Sequence, residues 1–233
     1  MTFFVPCYNE EPNIEGTIET IHEAATQVGV RHEILVFDDC SRDGTVEVVK
    51  RVAAARSELP LRLLRNAVNQ GLARNFIDGA FEGHGTYYRL VCGDNVEPVE
   101  TLVKILQNLG QSDIIVPYHT HVEGRTLRRK LISRLYTKLV NLASGRDLHY
   151  YNGLPLVRRR DVLRFHVEAT GLGYQAEFLL RLLQEGRSFI QIPLTASDKE
   201  GSLALSLRNF VSVGHSLFKI AMRRLSIHLF GKR

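Results

Sequence analysis

The sequence predicts an α/β fold, a mostly parallel sheet flanked by helices, and three observations carry the prediction. Apolar runs of strand length alternate with longer segments whose apolar residues recur every three or four positions. Most of these runs are continuous rather than alternating, as in strands covered by helices on both faces. The first two run into polar loops, Val5-Pro-Cys-Tyr-Asn-Glu-Glu-Pro-Asn-Ile14 and Ile34-Leu-Val-Phe-Asp-Asp-Cys-Ser-Arg-Asp-Gly-Thr45, and strand ends of this kind are where open parallel sheets bind ligands.

A very short first strand, Thr2 to Val5, precedes a helix with Pro12 in its first turn and Ile14, Ile18, Ile21, Ala25 and Val28 on one face. Residues 33 to 37 form a second strand. Asp43-Gly-Thr begins a helix that carries Val46, Val49 and Ala53, and Leu61 to Leu64 is a third strand. A helix from about Gly71 to Phe81, a strand from Thr86 to Cys92, a helix beginning near Pro98 and a strand from Ile114 to Pro117 continue the alternation. Right-handed crossovers between such strands bring their C-terminal loops to one sheet edge.

Beyond residue 120 a strongly basic helix is expected from Gly124 to about Ala143. Its leucines 127, 131, 135, 139 and 142 are expected inward, with Arg125, Arg128, Arg129, Lys130, Arg134 and Lys138 mostly outward. A loop over 145–153, a strand from Leu154 to Val157, a helix from Tyr174 to Glu185 and a strand from Phe189 to Pro193 follow. From Leu203 a C-terminal amphipathic helical tail sets Leu207, Phe210, Leu217 and Leu225 against Arg208, Lys219 and Arg223. Such a helix can lie in a membrane interface or pack on its own domain. One domain is expected over residues 1–200, with the tail over 201–233.

The chain has 233 residues, 44% apolar and 24% charged, which suits a globular domain with a substantial core. Its net charge of +5 is concentrated after residue 120, so the C-terminal half is expected to meet an anionic partner. Nucleic acid is not expected, because the basic stretch lacks interleaved aromatics. Three cysteines without paired spacing suit a reducing, cytoplasmic setting. The start reads as a strand rather than a signal peptide, and no apolar run reaches the roughly 20 residues of a spanning helix.

The residues Pro6, Tyr8, Asn9 and Glu10, then Asp38-Asp39 with Ser41, Asp43, Gly44 and Thr45, resemble the opening motifs of the family 2 glycosyltransferases. The likeness continues through Asn69-Gln-Gly-Leu-Ala-Arg-Asn75, Cys92-Gly-Asp-Asn95 with Pro98, Tyr174-Gln-Ala-Glu177, Ile192-Pro193 and Glu200-Gly-Ser202. It implies the Rossmann-like GT-A fold, with a nucleotide-sugar-binding half over 1–118 and an acceptor half over 119–200. Within the family the chain looks most like the polyprenyl-phosphate sugar transferases, the dolichyl-phosphate mannose synthase group, in a form without transmembrane helices. The expected activity is transfer of a sugar from a nucleoside-diphosphate sugar donor to a polyprenyl phosphate or other lipid-linked acceptor, with inversion, by an enzyme peripheral on the cytosolic face of the membrane. A hydroxyl acceptor on a glycan or glycolipid, and a non-catalytic nucleotide-sugar-binding module, are the alternatives.

By that resemblance Pro6, Tyr8, Glu10, Asp38, Asp39, Asn69, Gly71 and Arg74 surround the nucleotide. The chemistry agrees, since carboxylates accept ribose hydroxyls and Tyr8 offers a flat face, although Asp residues here can equally cap the following helix. The family's D-x-D, which holds Mg²⁺ or Mn²⁺, is incomplete: Cys92 stands at its first position and Asp94 at its second. Asp94 is the expected metal ligand, with Asn95 as an auxiliary oxygen, because a thiol is a poor ligand for a hard cation. Asn152 stands where the polyprenyl group carries an acidic stretch, and Glu177 is a second candidate near the acceptor. Lys199 matches the late cation that steadies the diphosphate. Arg158, Arg159, Arg160 and the basic helix are candidates to position a phosphate acceptor. The absence of tryptophan argues against the processive synthases, which carry Q-x-x-R-W.

Overall fold

The computed structural model describes residues 1–123, 127–151, 153–165 and 173–197, together with Met222 and Leu225. Asn152, Lys199 and nearly all of the tail lie outside the described residues. The strands are β1 (Thr2–Cys7), β2 (Glu33–Asp38), β3 (Leu61–Arg65), β4 (Tyr87–Leu90), β5 (Ile114–Glu123), β6 (Leu156–Arg158) and β7 (Phe189–Ser197). The helices are α1 (Ile14–Val28), α2 (Thr45–Ala55), α3 (Leu72–Glu82), α4 (Val99–Leu106), α5 (Leu127–Ser144), α6 (Arg159–Leu163) and α7 (Gly173–Gln184).

The strands form one sheet in the order β3-β2-β1-β4-β6-β5-β7, with β6 antiparallel to both neighbours and all other pairs parallel. Each sheet face packs its own core. Phe3, Val5 and Cys7 join Ile14, Ile18, Ile21, Leu102 and Ile105 beneath α1 and α4. Phe4, Phe37, Phe76 and Tyr88 lie on the other face with Phe178 and Leu179 of α7. The rings of Phe4 and Tyr88 stack at 5.8 Å, and the buried Tyr88 hydroxyl donates to the Phe76 carbonyl at 2.8 Å, which satisfies it inside the aromatic layer.

Two expectations are corrected. The direction of β6 takes the chain from the sheet edge bearing the C-terminal loops of β1, β2 and β4 to the opposite edge. Arg158 and Arg159 therefore lie away from those loops. Arg158 Nε pairs with Asp113 at 3.0 Å, and Arg159 donates to the carbonyls of Gly85 and Ala80, so neither is placed to meet a phosphate at the C-terminal edge. The leucines of α5 also face the other way. Leu131, Leu135, Leu139 and Leu142 are exposed, whereas Thr137, Val140 and Ser144 are buried. The polar face turns inward because the next loop needs its groups. Asn141 Nδ2 donates to the Leu148 carbonyl at 3.0 Å, and Asn141 Oδ1 accepts the Tyr151 hydroxyl at 2.6 Å.

Gly79, in the middle of α3, lets that helix touch the sheet, for a Cβ there would fall on the Phe4 ring and the Tyr88 hydroxyl. Alanine adds helix propensity worth about 1 kcal/mol, against roughly 1–3 kcal/mol for overpacking a filled core. Gly79→Ala is expected to destabilise the fold by about 1 kcal/mol or more, read as a lower urea midpoint at unchanged slope.

Candidate active site

The loop after β1 is tied to the loop after β2. Asn9, with φ of 59°, donates its N–H to Ser41 Oγ at 2.9 Å, and its amide oxygen accepts the Arg42 N–H at 2.8 Å. The Glu10 N–H reaches Thr45 Oγ1 at 2.9 Å, and Glu11 accepts the Gly44 N–H at 2.9 Å. Asn9, Cys40 and Asn95, one in each of the loops after β1, β2 and β4, hold positive φ without being glycine. Pro6 is half-buried, while Tyr8 is 45% exposed and free to present its ring. The Glu10 carboxylate accepts the Asn13 amide at 2.9 Å.

The two acids at the end of β2 have different surroundings. Asp38 is fully buried, accepts the Ser41 N–H and pairs with Arg65 at 3.3 Å. Asp39 turns toward the third loop. Its Oδ1 accepts Asn66 Nδ2 and the Gln70 N–H, both at 2.8 Å, and its Oδ2 accepts the Gly71 N–H at 2.9 Å. Asn69 adds a 3.2 Å bond to the Asp39 carbonyl. Gly71 can aim its N–H this way because it sits at φ of 82° just before α3. Burial pushes the Asp39 carboxyl up, but the donors around it outweigh that and hold it below the ordinary value. Arg74, on the outer face of α3, pairs with Asp78 at 2.8 Å.

The loop after β4 closes against both β1 and α1. Gly93 packs closely on β1, since a Cβ would lie a tight 3.1 Å from the Pro6 carbonyl oxygen and 3.2 Å from Cys7 Cβ. The Gly93 carbonyl accepts Thr17 Oγ1 at 3.0 Å. Asn95 turns to α1, where its amide oxygen accepts Thr20 and its Nδ2 covers Gly16. Asp94 therefore stands next to the loop after β1, between two anchored neighbours. Beneath the turn, fully buried Arg89 of β4 donates to both carboxylate oxygens of Glu97 at 2.9 and 2.6 Å, tying the strand to the segment that enters α4.

On the aromatic face of the sheet, Tyr174 in the first turn of α7 is buried against Phe76 at 5.7 Å, in the cluster that Cys92 also packs against. That places the N-terminal end of α7 by the end of β4, and Glu177 is one turn further along. Its Oε2 is buried with no hydrogen-bond partner among the described residues. The loop after α5 is pinned to the same side of the sheet. The His149 N–H donates to Gln191 Oε1 at 2.8 Å, its ring stacks on Tyr118 at 4.4 Å, and a Cβ on Gly153 would collide with the Pro117 carbonyl.

Among the described residues no group of three or more His, Cys, Asp or Glu side chains is arranged to hold a metal. Burial, helped by Asp94 and Glu97, pushes the Cys92 thiol up to about 12, so it stays protonated at neutral pH and offers little to a hard cation. What remains is one carboxylate, Asp94, because the Asn95 oxygen is engaged by Thr20. This donor set fits an ion that arrives with a diphosphate, as Mg²⁺ does when one or two carboxylates and substrate phosphates hold it, and does not fit a preformed protein cage.

A mostly parallel sheet whose strand-end loops converge in this way defines a GT-A fold. A family model described as glycosyl transferase family 2 matches residues 2–166, and the chain belongs to that family of glycosyltransferases. A polyprenol monophosphomannose synthase from Mycolicibacterium smegmatis is 24% identical over 229 residues, which cover 93% of this chain and 84% of that protein. A dolichol-phosphate mannosyltransferase from Pyrococcus furiosus is 26% identical over 204 residues, 84% of this chain and 56% of that one. Among solved structures, a mannosyltransferase from Pyrobaculum calidifontis in complex with GDP-Man and Mn²⁺ shares the fold with a TM-score of 0.70 and 19% identity, covering 99% of this chain and 70% of that chain. A glucosyl-3-phosphoglycerate synthase from Mycobacterium tuberculosis, in complex with Mn²⁺, uridine-diphosphate and glucosyl-3-phosphoglycerate, has a TM-score of 0.68 at 16% identity, with coverage of 96% and 78%.

Several residues that organise the site were not singled out from the sequence: Asn66, Thr17, Thr20 and the Arg89–Glu97 pair. Arg89 did leave a signal, a charge inside the apolar run Tyr-Tyr-Arg-Leu-Val-Cys, which has to find a partner. The depressed folded-state value of Asp39 means that its contribution is complete above the unfolded value near about 4 and is lost as pH falls through the folded one. Melting temperature is expected to drop from about pH 5 to pH 3. Asp39→Asn should remove part of that slope and cost about 1–3 kcal/mol at neutral pH, since an amide turned toward the Gln70 and Gly71 N–H groups leaves a donor unmatched.

Proposed function

We propose that the enzyme moves a sugar from a nucleoside-diphosphate sugar to a polyprenyl phosphate, with inversion, at the cytosolic face of a membrane. The observation that carries the reading is the contact of Gly93 with Pro6 and Cys7, which sets the Asp94 turn directly beside the nucleotide loops. The names of the relatives, polyprenol monophosphomannose synthase and dolichol-phosphate mannosyltransferase, support the acceptor class.

In this reading residues 1–118 bind the donor and residues 119–200 the acceptor. Tyr8 and Glu10 meet the base and ribose. Asp39 holds the Asn66–Gly71 loop in place for them, with Asn69, Gly71 and Arg74 along the rim. Asp94 would hold Mg²⁺ or Mn²⁺ together with the diphosphate, and the ion would supply positive charge beside the leaving group. Lys199 adds a second cation there. The acceptor phosphate oxygen is anionic at neutral pH and attacks the anomeric carbon without a strong base. The new C–O bond forms as the bond to the diphosphate breaks, and the nucleoside diphosphate departs. Asn152 and Glu177 are assigned to the acceptor side by the family resemblance, and neither is needed as a base.

A second reading, a hydroxyl acceptor, is favoured by the buried Oε2 of Glu177, which has no hydrogen-bond partner among the described residues and is suited to act as a base. The two separate in one assay, with labelled GDP- and UDP-sugars offered to polyprenyl phosphate in detergent and to soluble glycans. Transfer to the polyprenyl phosphate is expected, with roughly a hundredfold loss in Asp94→Ala and little change in Glu177→Gln. Turnover with glycan acceptors alone, abolished by Glu177→Gln, would establish the second reading instead.

A further inference from the structure

Helix α5 turns its leucines away from the protein. Leu131, Leu135 and Leu139 are 68%, 55% and 41% exposed, and Leu142 is 76% exposed. At 100° per residue, Leu131, Leu135, Leu142 and Lys138 fall within about 60° of one another, with Arg134 on the flank of the same face. Both cations are exposed. The helix has no acidic residue in Leu-Arg-Arg-Lys-Leu-Ile-Ser-Arg-Leu-Tyr-Thr-Lys-Leu-Val-Asn-Leu-Ala-Ser, and among the described residues no ion pair engages Lys130, Arg134 or Lys138. An outward leucine ridge gains nothing from water, and ordinary core packing is ruled out by the buried opposite face of Thr137, Val140 and Ser144.

We infer that the outer face of α5 is a membrane-docking surface that seats on an anionic lipid bilayer, its leucines entering the headgroup boundary and Arg134 and Lys138 meeting lipid phosphates. Charge complementarity selects this occupant. A purely apolar partner would leave both cations buried and unpaired, whereas an anionic interface accepts leucines and cations together. The position of the helix agrees. It leaves β5 at the sheet edge that carries the active-site loops, and its last turn holds the loop that leads to Gly153 on that edge, through Asn141, Leu148 and Tyr151. A bilayer under α5 lies beside the acceptor side of the site. The inference deepens the lipid-phosphate reading, and it assigns membrane contact to a helix within the domain.

Flotation of the full chain with phosphatidylglycerol–phosphatidylcholine vesicles tests it. Binding is expected to fall at least about tenfold in Leu131→Ser/Leu135→Ser/Leu139→Ser, and Arg134→Gln/Lys138→Gln should weaken the dependence on salt and on phosphatidylglycerol content. Wild-type vesicle binding in the leucine variant, or none in the parent, would overturn it. So would a parent dimer that the leucine variant converts to monomer, because a second copy would then cover the ridge. Nucleotide binding and polyprenyl-phosphate turnover in detergent serve as the independent readout. The leucine variant should keep both, and a failure of detergent turnover in the parent would count against the acceptor reading without touching the docking result.

Discussion

The sheet edge at the ends of β2 and β3 is organised around the carboxylate of Asp39. It collects two backbone N–H groups at the start of α3 and the amide of Asn66, and so joins the end of β2 to the third loop. Two of these donors belong to a helix N-terminus, where the peptide dipoles favour a negative charge, so the same feature positions the loop and stabilises the anion. The remaining loops are fastened to this pair by short polar links from Asn9, Glu10 and Glu11 to residues 41–45. The geometry of the edge is thus a hydrogen-bonded lattice laid over an apolar sheet.

The sheet itself was largely legible. A continuous run such as Ile34-Leu-Val-Phe37 has few options besides a buried strand, and β2 forms where expected. What stayed hidden depended on partners distant in sequence. The three residues of β6 carry no mark of strand direction, yet that direction decides that Arg158 meets Asp113 and not a ligand. The spacing of the α5 leucines describes a stripe without saying which way it points. Asn141 and Tyr151, whose hydrogen bond turns the other face inward, were unremarkable in the sequence. The motif residues Asp39 and Asp94 were conspicuous, while the groups that hold them, Asn66 and Thr17, became visible only in three dimensions.

The charge distribution follows the same division. Through residue 120 there are ten basic and seventeen acidic side chains, and beyond it twenty basic and eight acidic. The first part spends many of its acids on internal bonds, Glu33 accepting from Thr2, His84 and Gly85 being one case. The second part leaves Arg134 and Lys138 on the outer face of α5 without an ion-pair partner among the described residues. The charge of the sequence is therefore asymmetric, and an excess of cations beyond residue 120 favours approach to an anionic surface.

The Arg89–Glu97 pair has one more consequence. The strand β4 is four residues long and meets β1 at only three positions, too few for backbone bonds alone to set its alignment firmly. Arg89 shares its sheet face with Phe3, while Tyr88 and Leu90 point into the opposite aromatic layer. A slip by one residue would drive the guanidinium into that layer, away from Glu97, at the full cost of an uncompensated charge. The ion pair thus works as a key that admits one alignment of the strand, and so sets where along the sheet edge Asp94 emerges.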